Sequence, residues 1–370
     1  MMPSLDHSEL YHRSDPSGMR ERLPDASAQA RAAWQSACAL GLPPLHGRAT
    51  SVVVAGMGTS GVAGELASDL LHHLGVARAL TVWRDYALPA WVDASALVIA
   101  CSYSGATPET LSAYHRARDC GASVVAMTTG GELADAARRD GVPLEPIHSP
   151  WGGRHSLTAA CVGIIGILHA LGLVEDMSRQ VNEAAQLLER QARLYAVRVP
   201  EGRNPAKALA RRLWGKLPVL YGAGLMTGVA RRWQYDLNEN AKTWAITASW
   251  PELQHNAICG YHYPDHVTRS AFGVLLTSPH LPEVLKQRLP LSQDLFREAG
   301  IPAEVMDAAA DAVGAAGLGP LAHQLGMVYL GSWTSYYLAV LHGVDPVASP
   351  ALETMRRRVA PLRSGATARP

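Results

Sequence analysis

Apolar residues recur along this chain in two rhythms. Short unbroken runs come first: Ser51–Ala55 (SVVVA), Leu80–Trp83, Ala96–Cys101 (ALVIAC) and Ser123–Thr128 (SVVAMT). Each reads as a strand, and short, apolar strands without alternation fit a sheet covered on both faces. Between them lie amphipathic stretches at helical spacing, Val62–Leu74, Pro108–Cys120 and Glu132–Arg139. Strands alternating with helices of this length predict βαβ units around a parallel sheet. Upstream, residues 1–47 are mixed, with helical potential over Ala26–Leu40.

Glu175–Val197 runs without Gly or Pro as one long helical pattern, and Pro200–Pro205 then breaks the chain. After the break the plan repeats. Pro218–Tyr221 is a strand, GAGLMTG a Gly-rich loop and Val229–Asn240 a helix. Ser270–Thr277 and Ala303–Met306 are strands, Pro282–Arg288 and Ser292–Ala299 two helices, and Leu321–His342 a final helix. The expected organisation is an N-terminal helical segment (1–47), a first α/β domain (48–174), a linker helix (175–203), a second α/β domain (204–345) and a C-terminal segment (346–370). The halves share a plan rather than a sequence.

Composition narrows the function. The 370 residues carry 33 basic and 32 acidic side chains, a net charge of +1, so no basic excess exists to neutralise a nucleic-acid backbone. A hydrophobic fraction of 48% with 18% charged residues excludes a disordered chain. The N-terminus MMPSLDHSELYHRSD has no apolar signal core, and runs such as Ala159–Leu173 fall short of the roughly 18–20 residues of a membrane span. Five cysteines (38, 101, 120, 161, 259) show no paired spacing, which suits a reducing compartment. The expectation is a soluble cytoplasmic protein with no nucleic-acid or membrane partner. His72-His73 lacks partners at ligand spacing, so no metal site is expected.

Three segments carry candidate chemistry. Gly56-Met57-Gly58-Thr59-Ser60-Gly61 matches G-x-G-x-x-G between a strand and a helix. Backbone N–H groups at such a helix start bind anions, and the ligand could be a dinucleotide pyrophosphate or a sugar phosphate; a tight turn without ligand also fits. Ser102-Tyr103-Ser104-Gly105-Ala106-Thr107 brings three hydroxyls to the mouth of the third strand, with Thr107 a natural N-cap before Pro108. Two adjacent polar strand mouths converge on one crevice, which suits a phosphate monoester better than a dinucleotide. Asn238-Glu239-Asn240 followed by Pro251–Asn256 gathers a carboxylate and an imidazole, a base and an acid for proton transfer. A polar run at a helix end is more often a solvated terminus. Arg154, after Gly152-Gly153, could approach an oxyanion or be a solvated loop residue.

Together these segments resemble the bifunctional phosphoglucose/phosphomannose isomerase family, built from two sugar-isomerase (SIS) domains. The resemblance is carried by GMGTSG (56–61), YALPAWV (86–92), SYSGATPETLSAY (102–114), TTGGELAD (128–135), GGRHSL (152–157), YGAGLMTGVARRWQYDLNENAK (221–242), PELQHN (251–256) and VYLGSWTSYYLAVLHGVDP (328–346), and LDHSELYHRSDPSGM (5–19) resembles the family's N-terminus. It implies an α/β fold of two SIS-type domains, each a parallel sheet flanked by helices. It implies interconversion of glucose 6-phosphate or mannose 6-phosphate with fructose 6-phosphate, without metal or cofactor. Carried over, Glu239 would move the proton between C1 and C2, His255 would help open the ring, and Arg154 would stabilise the cis-enediol(ate). Gly58, Thr59, Ser60, Ser102, Ser104 and Thr107 would hold the phosphate. The resemblance also implies a homodimer in which His255 reaches the neighbouring site.

The periphery departs from the family. Its usual GGS reads Gly58-Thr59-Ser60, its SYSGNT has Ala106, its PRAAL reads Gly153–Leu157 (GRHSL), and its HNE ends in Ala257. After GVDP the usual Thr-Pro reads Val347-Ala348, and a later Lys reads Arg356, a possible substrate contact. Two other readings stay open: the same chemistry on a different phosphorylated sugar in a specialised pathway, or a non-catalytic sugar-phosphate-binding SIS regulator. The first 47 residues hold no convincing helix-turn-helix, and the retained base argues for an enzyme.

Overall fold

The computed structural model describes residues 3–44, 46–307 and 317–363; the last residues of the expected C-terminal segment, 364–370, lie outside them. The apolar runs form the strands β1 (Ser51–Ala55), β2 (Leu80–Trp83), β3 (Ala96–Cys101) and β4 (Ser123–Thr128), at the expected bounds. With β5 (Leu144–Pro146) they make one parallel sheet in the order β2-β1-β3-β4-β5. Alternate residues feed two cores: Val52 and Val54 pack on one face, Val53 and Ala55 on the other. A sheet covered on both faces needs unbroken apolar strands, which is why these runs carry no alternation.

The second sheet contains β6 (Leu217–Gly222), β7 (Ile246–Ser249), β8 (Ala271–Thr277) and β9 (Ala303–Asp307), again all parallel, in the order β7-β6-β8-β9. Two parallel sheets flanked by helices are the expected fold class. The main helices are α1 (Ala26–Ala39), α2 (Gly58–His73), α3 (Pro108–Asp119), α4 (Gly131–Arg139), α5 (Leu157–Ala170), α6 (Ser178–Leu194), α7 (Pro205–Leu213), α8 (Thr227–Glu239), α9 (Glu283–Glu298), α10 (Pro320–His342) and α11 (Pro350–Arg363). Helix α10 is buried from Pro320 through Leu341, as its lack of a polar face demands, and packs on α6, α7 and α8. No helix among the described residues is long and apolar enough to cross a membrane.

Three features differ from expectation. Strands β5 and β7 were unmarked in the sequence; both are short edge strands, and β5 contains Glu145 and Pro146. The two helices expected over 282–299 are one, with Pro290 inside; Leu289, Ser292 and Phe296 bury one face, so packing offsets the missing backbone bond. Helix α2 begins at Gly58 rather than Val62, because the Gly-rich loop already winds into its first turn. At the Pro200–Pro205 break, Asn204 caps α7, its side chain accepting from the Lys207 N–H at 3.2 Å.

The site follows from two placements. Strand order reverses direction between β1 and β3, where an open α/β sheet leaves a crevice at the strand mouths. Helix α8 of the second unit packs on α2 of the first, with Gly228 donating its N–H to Asp69 at 2.7 Å. A Cβ at Gly228 would lie 3.0 Å from that carboxylate and 3.2 Å from Leu66, so Gly allows the approach. The C-terminal end of α8, with Glu239, is thereby carried toward the first unit's crevice.

Candidate active site

The loop after β1 leads into α2, whose first-turn N–H groups, at Gly58 and Thr59, have no place in the helical ladder. Thr59 is half-buried and Ser60 buried beside them. The loop after β3 turns back at Gly105, where φ is +64°. A Cβ there would sit 1.8 Å from the Gly130 carbonyl oxygen, so no other residue fits. Ser104 faces the cleft and accepts the Ala106 N–H at 3.3 Å. Ser102 is buried behind Thr107, and their hydroxyls bond at 2.8 Å. Thr107 holds the N-cap position of α3, but its side chain serves Ser102 rather than the helix.

Opposite these hydroxyls stand Arg154 and Glu239. Arg154 lies in a short turn, Gly153–His155, that packs on Tyr103 of the β3 loop. Its Nε donates to the Glu239 carboxylate at 2.7 Å. One terminal nitrogen donates to the Asn240 side-chain oxygen at 3.3 Å and to the Pro346 carbonyl at 2.7 Å, and the other donates to the Ser349 hydroxyl. The guanidinium is therefore held in one plane, with its side chain only 14% exposed and that of Glu239 30% exposed. Lys242 closes the end of α8 by donating to the carbonyls of Glu239 and Ala348. Burial, followed by the neighbouring Arg154, lowers its pKa.

The cleft between these walls has a volume of about 870 Å³. Gly58, Thr59, Ser60, Ser104, Thr107, Arg154, Glu239 and Arg356 all line it, so the structure brings together most residues singled out in the sequence. Arg356 reaches it from α11. Two are not at the surface of this cleft. Ser102 backs Thr107, and His255, in the short turn Glu252–His255, is exposed and lies outside the cleft of its own chain. Among the described residues no group of three His, Cys, Asp or Glu side chains is placed to hold a metal ion.

Several participants went unnoticed in the sequence. Arg232 and Asp236, both buried, pair at 2.8 Å beneath the floor of the cleft. Their i, i+4 spacing is one that any solvated helix can show, so it did not single them out. Asn240 and Ser349 hold Arg154 but look like ordinary polar residues in sequence. His155 lines the cleft wall, and burial together with Arg232, Arg22 and Arg154 pushes its pKa down to about 3, so its imidazole is neutral. An ordered guanidinium beside a carboxylate, facing a hydroxyl-lined pocket at a helix start, can grip a dianion at one end and exchange a proton at the other.

Residues 202–359 match the family model for the bacterial phospho-glucose isomerase C-terminal SIS domain. Over 316 residues the chain is 35% identical to the bifunctional phosphoglucose/phosphomannose isomerase of Caldicellulosiruptor bescii, covering 84% of this chain and 90% of that one. The protein of the same name from Aquifex aeolicus is 28% identical over 83% of this chain and 90% of its own length. Among solved structures, a glucose-6-phosphate isomerase like protein from Thermus thermophilus superposes with a TM-score of 0.61 at 20% identity, covering 95% of this chain and all of that one (100%).

Proposed function

Because the chain belongs to the bifunctional phosphoglucose/phosphomannose isomerase family, we propose that it interconverts glucose 6-phosphate and mannose 6-phosphate with fructose 6-phosphate. In this reading the sugar phosphate lies along the cleft. The phosphate meets the Gly58 and Thr59 N–H groups and the hydroxyls of Thr59, Ser60, Ser104 and Thr107, with Ser102 setting the direction of Thr107. Glu239 takes the proton from C2 of the aldose, and the electron pair left behind moves onto O1 as the enediolate forms. Arg154 stabilises that oxyanion. A guanidinium does so without titrating. The carboxylic acid then returns the proton to C1 while the O2 hydroxyl proton passes to O1, so that C2 becomes the carbonyl of the ketose. Either epimer at C2 converges on the same planar enediolate, which is how one base could serve glucose and mannose phosphates.

Ring opening is assigned to His255 of a second subunit. The support is that His255 is exposed and outside its own cleft, and that Trp244 and Tyr263 are exposed as well, at 74% and 85%. Exposed large aromatics suit a protein–protein contact. We therefore read the working form as a homodimer, and as a cytoplasmic one, since none of the five cysteines is bonded to another. Arg356 supplies a further positive charge over the sugar.

The observation that carries this reading is the 2.7 Å pairing of Arg154 with Glu239 across from the hydroxyl loops. Its test is turnover of both aldose phosphates, followed by coupled assay, with wild type and Glu239→Gln. Wild type is expected to convert both, and Glu239→Gln to lose about 10²–10⁴-fold in kcat. Full turnover by Glu239→Gln would overturn the role of the base; a wild type inert on all three hexose phosphates but stabilised by them would make it a receptor instead.

A further inference from the structure

Arg232 is 4% exposed and touches no part of the cleft surface, yet it joins three pieces of the site. One terminal nitrogen donates to the Thr59 hydroxyl at 3.1 Å, and the other to the Arg154 backbone carbonyl at 2.9 Å. Its Nε and the second terminal nitrogen fork onto Asp236 at 3.1 and 2.8 Å. Asp236, 1% exposed, also accepts from the Ser332 hydroxyl at 2.9 Å and from the Asn240 amide at 3.3 Å. The same Asn240 accepts from the Arg154 guanidinium at 3.3 Å. Arg154 is thus held at its backbone by Arg232 and at its head group by a side chain fixed through the partner of Arg232.

We propose that Arg232 is a positioning residue that transmits occupancy of the phosphate loop at Thr59 to the orientation of Arg154. This rests on the isomerase reading above. A threonine hydroxyl has one proton and two lone pairs. When Arg232 fills a lone pair, the proton is left for a phosphate oxygen in the cleft. The guanidinium is a rigid planar fork, so its two outer nitrogens cannot move independently. A dianion that fixes Thr59 therefore fixes the plane of Arg232, and with it the carbonyl and head group of Arg154. The binding energy of the non-reacting phosphate is then expressed where the enediolate charge develops. A lysine at 232 could neutralise Asp236 but could not span Thr59 and Arg154 together.

The test uses D-fructose, which carries no phosphate, with inorganic phosphite as a separate dianion, beside the intact hexose phosphates. In wild type, phosphite is expected to raise turnover of D-fructose by at least about tenfold. Arg232→Lys and Thr59→Val should cut that activation to about twofold or less, and on fructose 6-phosphate lower kcat more than they raise KM. Thr59→Ser, which keeps the hydroxyl, should restore it. The double variant Thr59→Val/Arg232→Lys should be no worse than the poorer single one, since both break the same link. Should Arg232→Lys not fold, Arg232→Met/Asp236→Leu removes the pair without leaving a buried charge. Absence of phosphite activation in wild type, wild-type activation in the Arg232 variants, or multiplying effects of the two single changes would each overturn the proposal. If wild type converts none of the hexose phosphates, the isomerase reading itself fails; if wild type is active while the Arg232 variants keep their phosphite activation, only the relay fails.

Discussion

In the proposed function Arg154 and Glu239 act as a pair. The guanidinium spends donors on Glu239, Asn240, Pro346 and Ser349, and this fixes the plane from which it meets an oxyanion. Arg154→Lys keeps the charge and loses the fork. It should lower kcat by about 10²-fold or more with a smaller change in KM, measured on fructose 6-phosphate. The sequence offered both as candidates, a carboxylate between two amides and an arginine after a glycine pair, with a solvated surface as the alternative, and the family resemblance gave them roles. Arg232, Asp236 and Ser349 were not legible there. Their importance lies in what they touch 78 to 195 residues away in the chain or, for Asp236, in a pairing that any solvated helix could make. Ser102 belongs to the hydroxyls expected at the strand mouth, but the turn at Gly105 folds Thr107 over it.

At the scale of elements, the central strands and the edges β2 and β9 were legible, and the edges β5 and β7 were not. An edge strand needs only one neighbour and no apolar run, so LEP at β5 and ITAS at β7 carry no signal. The β5 edge holds a cost that pH should reveal. Glu145 is wholly buried, 3.9 Å from His148, and burial pushes its pKa up to about 7. A raised carboxyl pKa means that the folded chain holds its proton where the unfolded chain has lost it. Its effect on stability is nil below the ordinary glutamate range, and it becomes destabilising as pH rises toward about 7, levelling off above. Glu145→Gln should therefore match wild type in Tm near pH 4 and exceed it at pH 8, by no more than about 3 kcal/mol in unfolding free energy. An equal Tm difference at both pH values would contradict this. Similar reasoning explains why one helix crosses Pro290: the buried face of α9 outweighs a local break that the sequence made conspicuous.

Across the whole molecule, the two α/β units divide the labour. In the proposed function the first supplies the anion pocket at its β1/β3 switch point, and the second supplies the base from the C-terminal end of α8, packed on α2. The repeat was visible in the sequence, but the way one unit's helix end meets the other's strand mouths depended on packing. In the same proposal the exposed His255 extends this division to a second subunit. Mixing Glu239→Gln and His255→Ala proteins, each inactive alone, should restore about a quarter of wild-type activity when subunits exchange at random, since half the dimers are mixed and each has one intact site. No recovery after exchange would place ring opening within one chain. The most direct check of the account remains the proton at C1 and C2. Fructose 6-phosphate turned over in deuterium oxide and followed by NMR should gain deuterium at C2 of the aldose product with wild type, and none with Glu239→Gln. Deuterium entering at the wild-type rate with Glu239→Gln would contradict it.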